Sequence, residues 1–252
     1  MIRRRARARG SAEGGEGRGR SPRRVALVTG AGTRVGRAIA LDLARHGWTV
    51  AAHFHSHRPP PRLVALRADL SLAEGPEALA RAFRRRFRRL DLLVCSAALF
   101  ERRPLRRTDA AFFDAQMALN ARAPLLLARA LLPLLRRSGG SVVNVADVGG
   151  ALVPWAGYSA YGASKAALRA VTLALALELA PRVRVNAVAP GTVLWPEGTP
   201  ASLRRRLVGR IPLGRAGTPG DVAAAVRYLA DAPFVTGVVL PVDGGRHLGG
   251  RA

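Results

Sequence analysis

The chain has 252 residues, about half of them apolar, with a formal charge of +25 and one cysteine, Cys95. That length supports one large domain with a proper core. The lone cysteine excludes an internal disulfide and fits a reducing, cytoplasmic setting, and no run of 18 or more uncharged apolar residues reads as a membrane span.

Residues 1–24 are rich in Arg, Gly, Ser and Glu and lack an apolar period, so they read as a disordered Arg-rich tail. They carry no hydrophobic stretch of the kind a secretory signal needs. The remainder, 25–252, reads as one domain. Basic residues are spread along the whole chain and nearly all are arginine, Lys165 being the one lysine. This pattern reads as a solvated surface of arginine-biased composition rather than a nucleic-acid or membrane interface.

From Val25 onward strands and helices alternate. Arg24–Val28 is a short apolar run, expected as a buried parallel strand. Val35–His46 has helical spacing and Gly47 stops it. Trp48–Phe54 and Leu63–Arg67 read as the second and third strands, and Pro76–Arg89 as an amphipathic helix. Leu90–Cys95 is the fourth strand. Ala110–Arg137 is a long helical stretch interrupted by Pro124 and Pro133. Ser141–Val145, Val183–Val188 and Val238–Val242 read as further strands, with helices at Ser159–Leu179 and Gly220–Ala230. The expected fold is α/β: a Rossmann-like, doubly wound parallel sheet with helices on both faces.

The first strand runs into Thr29-Gly30-Ala31-Gly32-Thr33-Arg34-Val35-Gly36 and then a helix. Glycines there let backbone N–H groups approach a pyrophosphate, and the helix N-terminus adds partial positive charge. An acidic residue at the end of the second strand would bind the ribose hydroxyls of NAD. This chain instead has His53-Phe54-His55-Ser56-His57-Arg58. Imidazoles, a hydroxyl and a guanidinium suit a 2′-phosphate, so NADPH is the expected cofactor. The alternating histidines also invite a metal reading, but no carboxylate or cysteine joins them, and no metal is expected.

Tyr161 and Lys165 stand at i and i+4, on one helix face. A phenol is a poor proton donor and acceptor at its free pKa of about 10. A neighbouring ammonium is expected to lower that value toward neutrality. In a chain that otherwise uses arginine, this position keeps a compact ammonium.

Together these segments resemble the short-chain dehydrogenase/reductase family from about Arg24 to Leu248. The matching pieces are TGAGTRVGRAIA, Asp69-Leu70, Asn120, Tyr161 with Lys165, Asn186–Gly191 and VLPVDGG. The resemblance implies that Tyr161 is the general acid and that Lys165 holds the nicotinamide ribose. It implies that Asn120 positions a relay water. The cofactor contacts it implies are Gly30, Gly32, Arg34, Val35, Gly36, His53, His55, Ser56, Asp69, Leu70, Ser96, Ala97, Pro190 and Gly191, besides Tyr161 and Lys165. A homotetramer is also implied.

Most members place a serine after the fifth strand, where this chain has Asp147. That aspartate, with Arg34 in the glycine turn, is similar to the pteridine reductase branch. Substrate contacts are then expected from Arg34, Phe100, Asp147, Tyr161 and Trp195. Phe100 stacks a pterin or folate ring, and Asp147 and Tyr161 relay its proton. Two other readings stay open: a reductase of 3-oxoacyl or other ketones on the same fold, and a catalytically degenerate, basic nucleic-acid-binding member.

Three departures stand out. The gap between strands two and three is about eight residues and holds Pro59, Pro60 and Pro61. A crossover with a helix needs about ten to twelve, so the helix is expected to be missing. Cys95-Ser96-Ala97-Ala98 replaces an asparagine-containing segment of the family. Asp147 and Tyr161 lie 14 apart, one more than usual in the family, which implies a longer loop.

Overall fold

A computed structural model describes residues 23–249. The expected disordered tail lies outside the described residues apart from Arg23 and Arg24. Arg24 is ordered: its guanidinium pairs with Asp231 and lies 4.0 Å from the centroid of the Trp48 ring.

Seven parallel strands form one sheet: β1 (Val25–Val28), β2 (Thr49–Phe54), β3 (Val64–Arg67), β4 (Leu92–Cys95), β5 (Ser141–Val145), β6 (Arg184–Pro190) and β7 (Val239–Val242). Their order is β3-β2-β1-β4-β5-β6-β7, so the chain reverses direction across the sheet between β1 and β4. Clefts at such a reversal, above the carboxyl ends of the strands, are where open α/β sheets bind ligands.

Successive strand residues point to opposite faces. Leu27, Leu93 and Val185 enter one core, against Phe83 of α2 (Gly75–Arg86) and Leu131 of α4 (Ala123–Ser138). Val28, Val94 and Val143 enter the other, against Ile39 of α1 (Arg34–Arg45) and Val226 of α8 (Pro219–Asp231). Each such fully buried side chain contributes about 1.5–3 kcal/mol of transfer free energy. The doubly wound architecture expected from the sequence is therefore present.

The long central stretch is three pieces: α3 (Ala110–Met117), a π-helical turn at Ala118–Arg122, and α4. Pro124 lies just past the π-helical turn with helical backbone before it, so its missing N–H removes one helical bond at the junction of the two pieces. The joined stretch Ala110–Ser138 is long and apolar enough to cross a membrane by length and composition, but 56% of its apolar 18-residue window is buried within the protein. That burial marks it as a core element.

The 55–63 crossing contains no helix, as its length requires. It packs directly on the glycine turn, where a Cβ on Gly32 would stand 1.8 Å from the His57 carbonyl oxygen. A helix that the sequence reading did not anticipate, α7 (Ala201–Val208), follows β6. Its Leu203 and Leu207 line the functional cavity. The remaining helices are a short, irregular α5 (Val148–Ala151) and the long α6 (Ser159–Glu178).

Candidate active site

A cavity of about 540 Å³ opens above the carboxyl ends of the central strands. Its walls bring together Gly30, Arg34, Val35, Gly36, Ser96, Ala97, Phe100, Asp147, Tyr161, Lys165, Pro190, Gly191 and Trp195. These residues span most of the chain, and the parallel sheet gathers them by ending every strand on one side.

At the β1 end, the glycine turn leaves no room for side chains. A Cβ on Gly30 would meet the Ala97 backbone at 2.9 Å, and one on Gly36 would meet the Gly30 carbonyl oxygen at 2.3 Å. Thr29 clamps the neighbouring loop, its hydroxyl accepting from the N–H groups of Ser96 at 2.9 Å and Ala97 at 3.0 Å. This side-chain-free cradle at a helix N-terminus fits a dinucleotide pyrophosphate. Arg34 is the one non-glycine residue with positive φ among the described residues, at 50°. The backbone keeps the conformation that glycine favours, yet carries a guanidinium into the cavity.

His53 requires a correction. It was expected on the cofactor phosphate, but only 2% of its surface is exposed and both ring nitrogens are occupied within the protein. Nδ1 accepts from the Gly30 N–H at 3.2 Å, and Nε2 donates to the Ala68 carbonyl at 3.2 Å. Burial lowers its pKa to about 4, so it is neutral and braces the glycine turn. Leu70 also differs from expectation in its side chain, which is buried in the core. Gly32 is covered by the 55–63 crossing, and His55, Ser56 and Asp69 lie outside the cavity wall. Asp69 accepts from the Ser71 backbone and hydroxyl and sits 3.8 Å from the His55 ring.

Asp147 ends the segment after β5 and caps α5, accepting from the Gly149 N–H at 2.6 Å. Its other carboxylate oxygen accepts from the Tyr161 hydroxyl at 2.8 Å. Burial raises its pKa to about 6, against the opposing pull of those hydrogen bonds, Lys165 and Arg246. The loop between Asp147 and Tyr161 turns at Gly149 and Gly150, whose backbone departs from helical angles. A Cβ on Gly150 would stand 2.4 Å from the Gly162 Cα, and one on Gly149 would enter the Trp155 ring. These two close approaches seat the loop against α6 and keep Asp147 on Tyr161.

The expected lowering of the Tyr161 pKa is not found. Burial and then the Asp147 charge push the phenol well above its ordinary value, so it holds its proton. The Lys165 ammonium is 5.8 Å from the Tyr161 ring centroid and donates to the Val145 carbonyl at 2.9 Å. Its own pKa is lowered to about 8 by burial.

Asn120, expected among the catalytic groups, does not line the cavity. It lies in the π-helical turn and is 1% exposed. Its amide accepts from the Leu99 N–H at 2.8 Å and donates to the Leu99 carbonyl at 2.9 Å and to Ser164 Oγ at 2.9 Å. It therefore ties the loop bearing Phe100 to the helix bearing Tyr161, a positioning role.

Phe100 is half exposed. Its ring stacks on Tyr158 at 5.1 Å between centroids and meets Tyr161 edge-on at 4.9 Å. Sequence reasoning missed Tyr158, Trp155, Thr192 and Arg246 as parts of the wall. Signals existed for three of them: Tyr158 is a second tyrosine near Lys165, Thr192 directly follows Asn186–Gly191, and Arg246 directly follows VDGG.

The profile described as enoyl-(acyl carrier protein) reductase matches residues 30–247. The chain is 36% identical over 245 residues to a 2-(R)-hydroxypropyl-CoM dehydrogenase of Xanthobacter autotrophicus, covering 88% of this chain and 97% of that one. It is 34% identical over 239 residues to a 3-oxoacyl-[acyl-carrier-protein] reductase of Thermotoga maritima, with 88% and 97% covered. A 3-oxoacyl-[acyl-carrier-protein] reductase of Staphylococcus aureus is 31% identical over 241 residues, with 88% and 98% covered. With the parallel sheet, the glycine cradle and the Tyr161–Lys165 pair in place, these matches establish that the chain belongs to the short-chain dehydrogenase/reductase family of oxidoreductases.

Proposed function

We propose that the protein is an NADPH-dependent reductase of dihydropterin- or dihydrofolate-type substrates. The observation that carries this reading is the hydrogen bond from Tyr161 to a largely buried Asp147 whose pKa lies near 6. Above that pH an aspartate offers only acceptors. It repels a ketone oxygen but accepts from the N–H groups of a pterin. Below it, Asp147 can donate a proton to a ring nitrogen.

Gly30, Arg34, Gly36, Ser96, Ala97, Lys165, Pro190 and Gly191 would hold the cofactor, whose nicotinamide supplies the hydride when bound. Tyr161, kept protonated by its surroundings, is the immediate proton source, and Asp147 restores its proton. Reduction of a ring C=N bond adds hydride at carbon and a proton at nitrogen, so the charge balances. Phe100 offers an aromatic face to a flat heterocycle. The absence of a carboxylate at the end of β2 supports NADPH over NADH. A cytoplasmic homotetramer is proposed from the family resemblance.

The second reading is a carbonyl reductase. The named relatives favour it over the pterin reading, since two are 3-oxoacyl-[acyl-carrier-protein] reductases and one is a 2-(R)-hydroxypropyl-CoM dehydrogenase by name. NADPH oxidation with dihydrobiopterin and dihydrofolate, set against 3-oxoacyl thioesters and simple ketones, separates the two. Turnover of ketones alone overturns the pterin reading. No turnover and no NADPH binding, together with steeply salt-dependent DNA binding, would select the degenerate reading.

A further inference from the structure

The cavity contains a cation that the reaction described above does not use. Arg246 opens a short 3-10 turn, Arg246–Leu248, directly after Gly244 and Gly245. Both glycines have positive φ, at 66° and 86°. The turn is locked by Asp243, which accepts from the Gly245 N–H at 3.0 Å and from the His247 N–H at 2.7 Å and ring at 2.9 Å. This arrangement holds the Arg246 side chain on the cavity wall.

The guanidinium is half-buried and makes one hydrogen bond among the described residues, from Nη1 to the Thr192 hydroxyl. It also lies 5.0 Å from the centroid of the Trp155 ring. The two carboxylates nearest in charge are already committed: Asp243 to its own turn, and Asp147 to Gly149 and Tyr161. Neither forms an ion pair with Arg246. Its remaining N–H groups therefore meet no protein acceptor among the described residues. A partly desolvated guanidinium left in this state is costly unless a ligand anion completes it.

We infer that Arg246, braced by Thr192 and Trp155, is a subsite for a carboxylate borne by the substrate, away from the atoms that are reduced. Two observations select the ligand class. The planar fork of a guanidinium matches a carboxylate bidentately. Asp147, Arg210 and Asp243 all act on Arg246 electrostatically; the two carboxylates offset the two guanidinium charges, which suits a singly charged carboxylate better than a more highly charged phosphate. The cofactor phosphates belong to the glycine turn after β1, while Arg246 follows β7, four strand positions along the sheet. At the usual inter-strand spacing that is roughly 19 Å. Applied to the proposed function, on which the identity of the ring rests, the subsite selects a substrate with a carboxylate tail, such as dihydrofolate, over a bare dihydropterin.

The test is steady-state kinetics of the NADPH-loaded enzyme on two matched pairs: dihydrofolate against dihydrobiopterin, and a 3-oxo acid against its methyl ester. Arg246→Leu is expected to raise KM for the carboxylate member at least tenfold more than for its neutral partner. Arg246→Lys should recover part of that difference, and Thr192→Val, which removes the brace but keeps the charge, should lose less. An equal change in KM within whichever pair is turned over overturns the subsite, since a merely structural role affects both members alike. Absence of pterin turnover with retained ketone turnover removes the pterin reading, and the acid–ester pair then decides the subsite on its own. For an enzyme that turns over neither pair, binding of p-aminobenzoylglutamate by titration calorimetry decides it. An affinity that Arg246→Leu leaves unchanged, or no binding at all, overturns the proposal.

Discussion

The Tyr161 hydroxyl donates to the Asp147 carboxylate across 2.8 Å, so the phenol is bonded to a second ionisable acid rather than to a neutral hydroxyl. Exchange of Asp147 for serine tests what that pairing is for. Asp147→Ser is expected to cut pterin reduction by about a hundredfold or more, the range a positioned acid–base group contributes, while NADPH affinity stays within about threefold. Unimpaired pterin turnover would remove Asp147 from the mechanism, and a gain in ketone turnover would favour the carbonyl reading.

The pH profile should carry the same signature. Asp147 titrates near 6 in the fold, above its ordinary value of 3.8. If its proton serves the substrate, kcat falls as pH rises through about 6, and Asp147→Asn abolishes that limb. Stability follows the same sign: the native state holds this proton more tightly than the unfolded chain, so the contribution of Asp147 is full below pH 3.8 and is lost as pH rises through 6.

His53 acts in the opposite sense. Its folded pKa of about 4 lies below its ordinary 6.5, so its contribution is full above pH 6.5 and is lost as pH falls toward 4. Melting temperature of His53→Leu measured across that window should show a flatter acid limb than wild type. It should also show a loss of about 1–3 kcal/mol at neutral pH, because the Gly30 N–H loses its acceptor. An unchanged melting curve would mean that the glycine turn does not need its brace.

Arg34 sits at positive φ. Arg34→Gly is expected to leave thermal stability equal or higher, by up to about 1 kcal/mol, since the strain of a side chain in that region is relieved. The same variant should lower kcat/KM for reduction at least tenfold. A variant that is destabilised but fully active would show that the guanidinium serves packing alone.

Lys165 is buried beside Tyr161, its ammonium on the Val145 carbonyl. Lys165→Arg is expected not to rescue activity relative to Lys165→Met, because the larger planar guanidinium does not fit a slot built for a point charge. Comparable activity of the arginine variant and wild type would argue against that slot.

The parallel sheet was legible because strands buried on both faces, such as Val25–Val28 and Leu92–Cys95, read as unbroken apolar runs, whereas the order of the strands across it was not. The helix-free crossing was legible from its length and prolines. The Tyr161–Lys165 pair was legible because its partners lie one helical turn apart. Asp147 stood out by departing from the family serine. Arg246 and Tyr158 were not legible, since one is an arginine among many and the other lacks a spacing partner. Only three-dimensional proximity distinguishes them. The direction of the Tyr161 shift was misjudged for a related reason: i, i+4 spacing gives proximity to an ammonium, but not the desolvation that outweighs it.

The crossing between β2 and β3 bears on how the edge of the sheet is held. A helix laid on the sheet would hold β3 by burial. Here Val64 and Ala65 are only partly covered, and β3 is an edge strand with a single neighbour. Pro59, Pro60 and Pro61 fix their own φ angles, so the chain leading into β3 has fewer conformations to lose when the strand pairs. The same crossing carries His57, whose carbonyl oxygen a Cβ on Gly32 would meet at 1.8 Å, so the pairing of β3 and the shape of the glycine turn depend on one short segment.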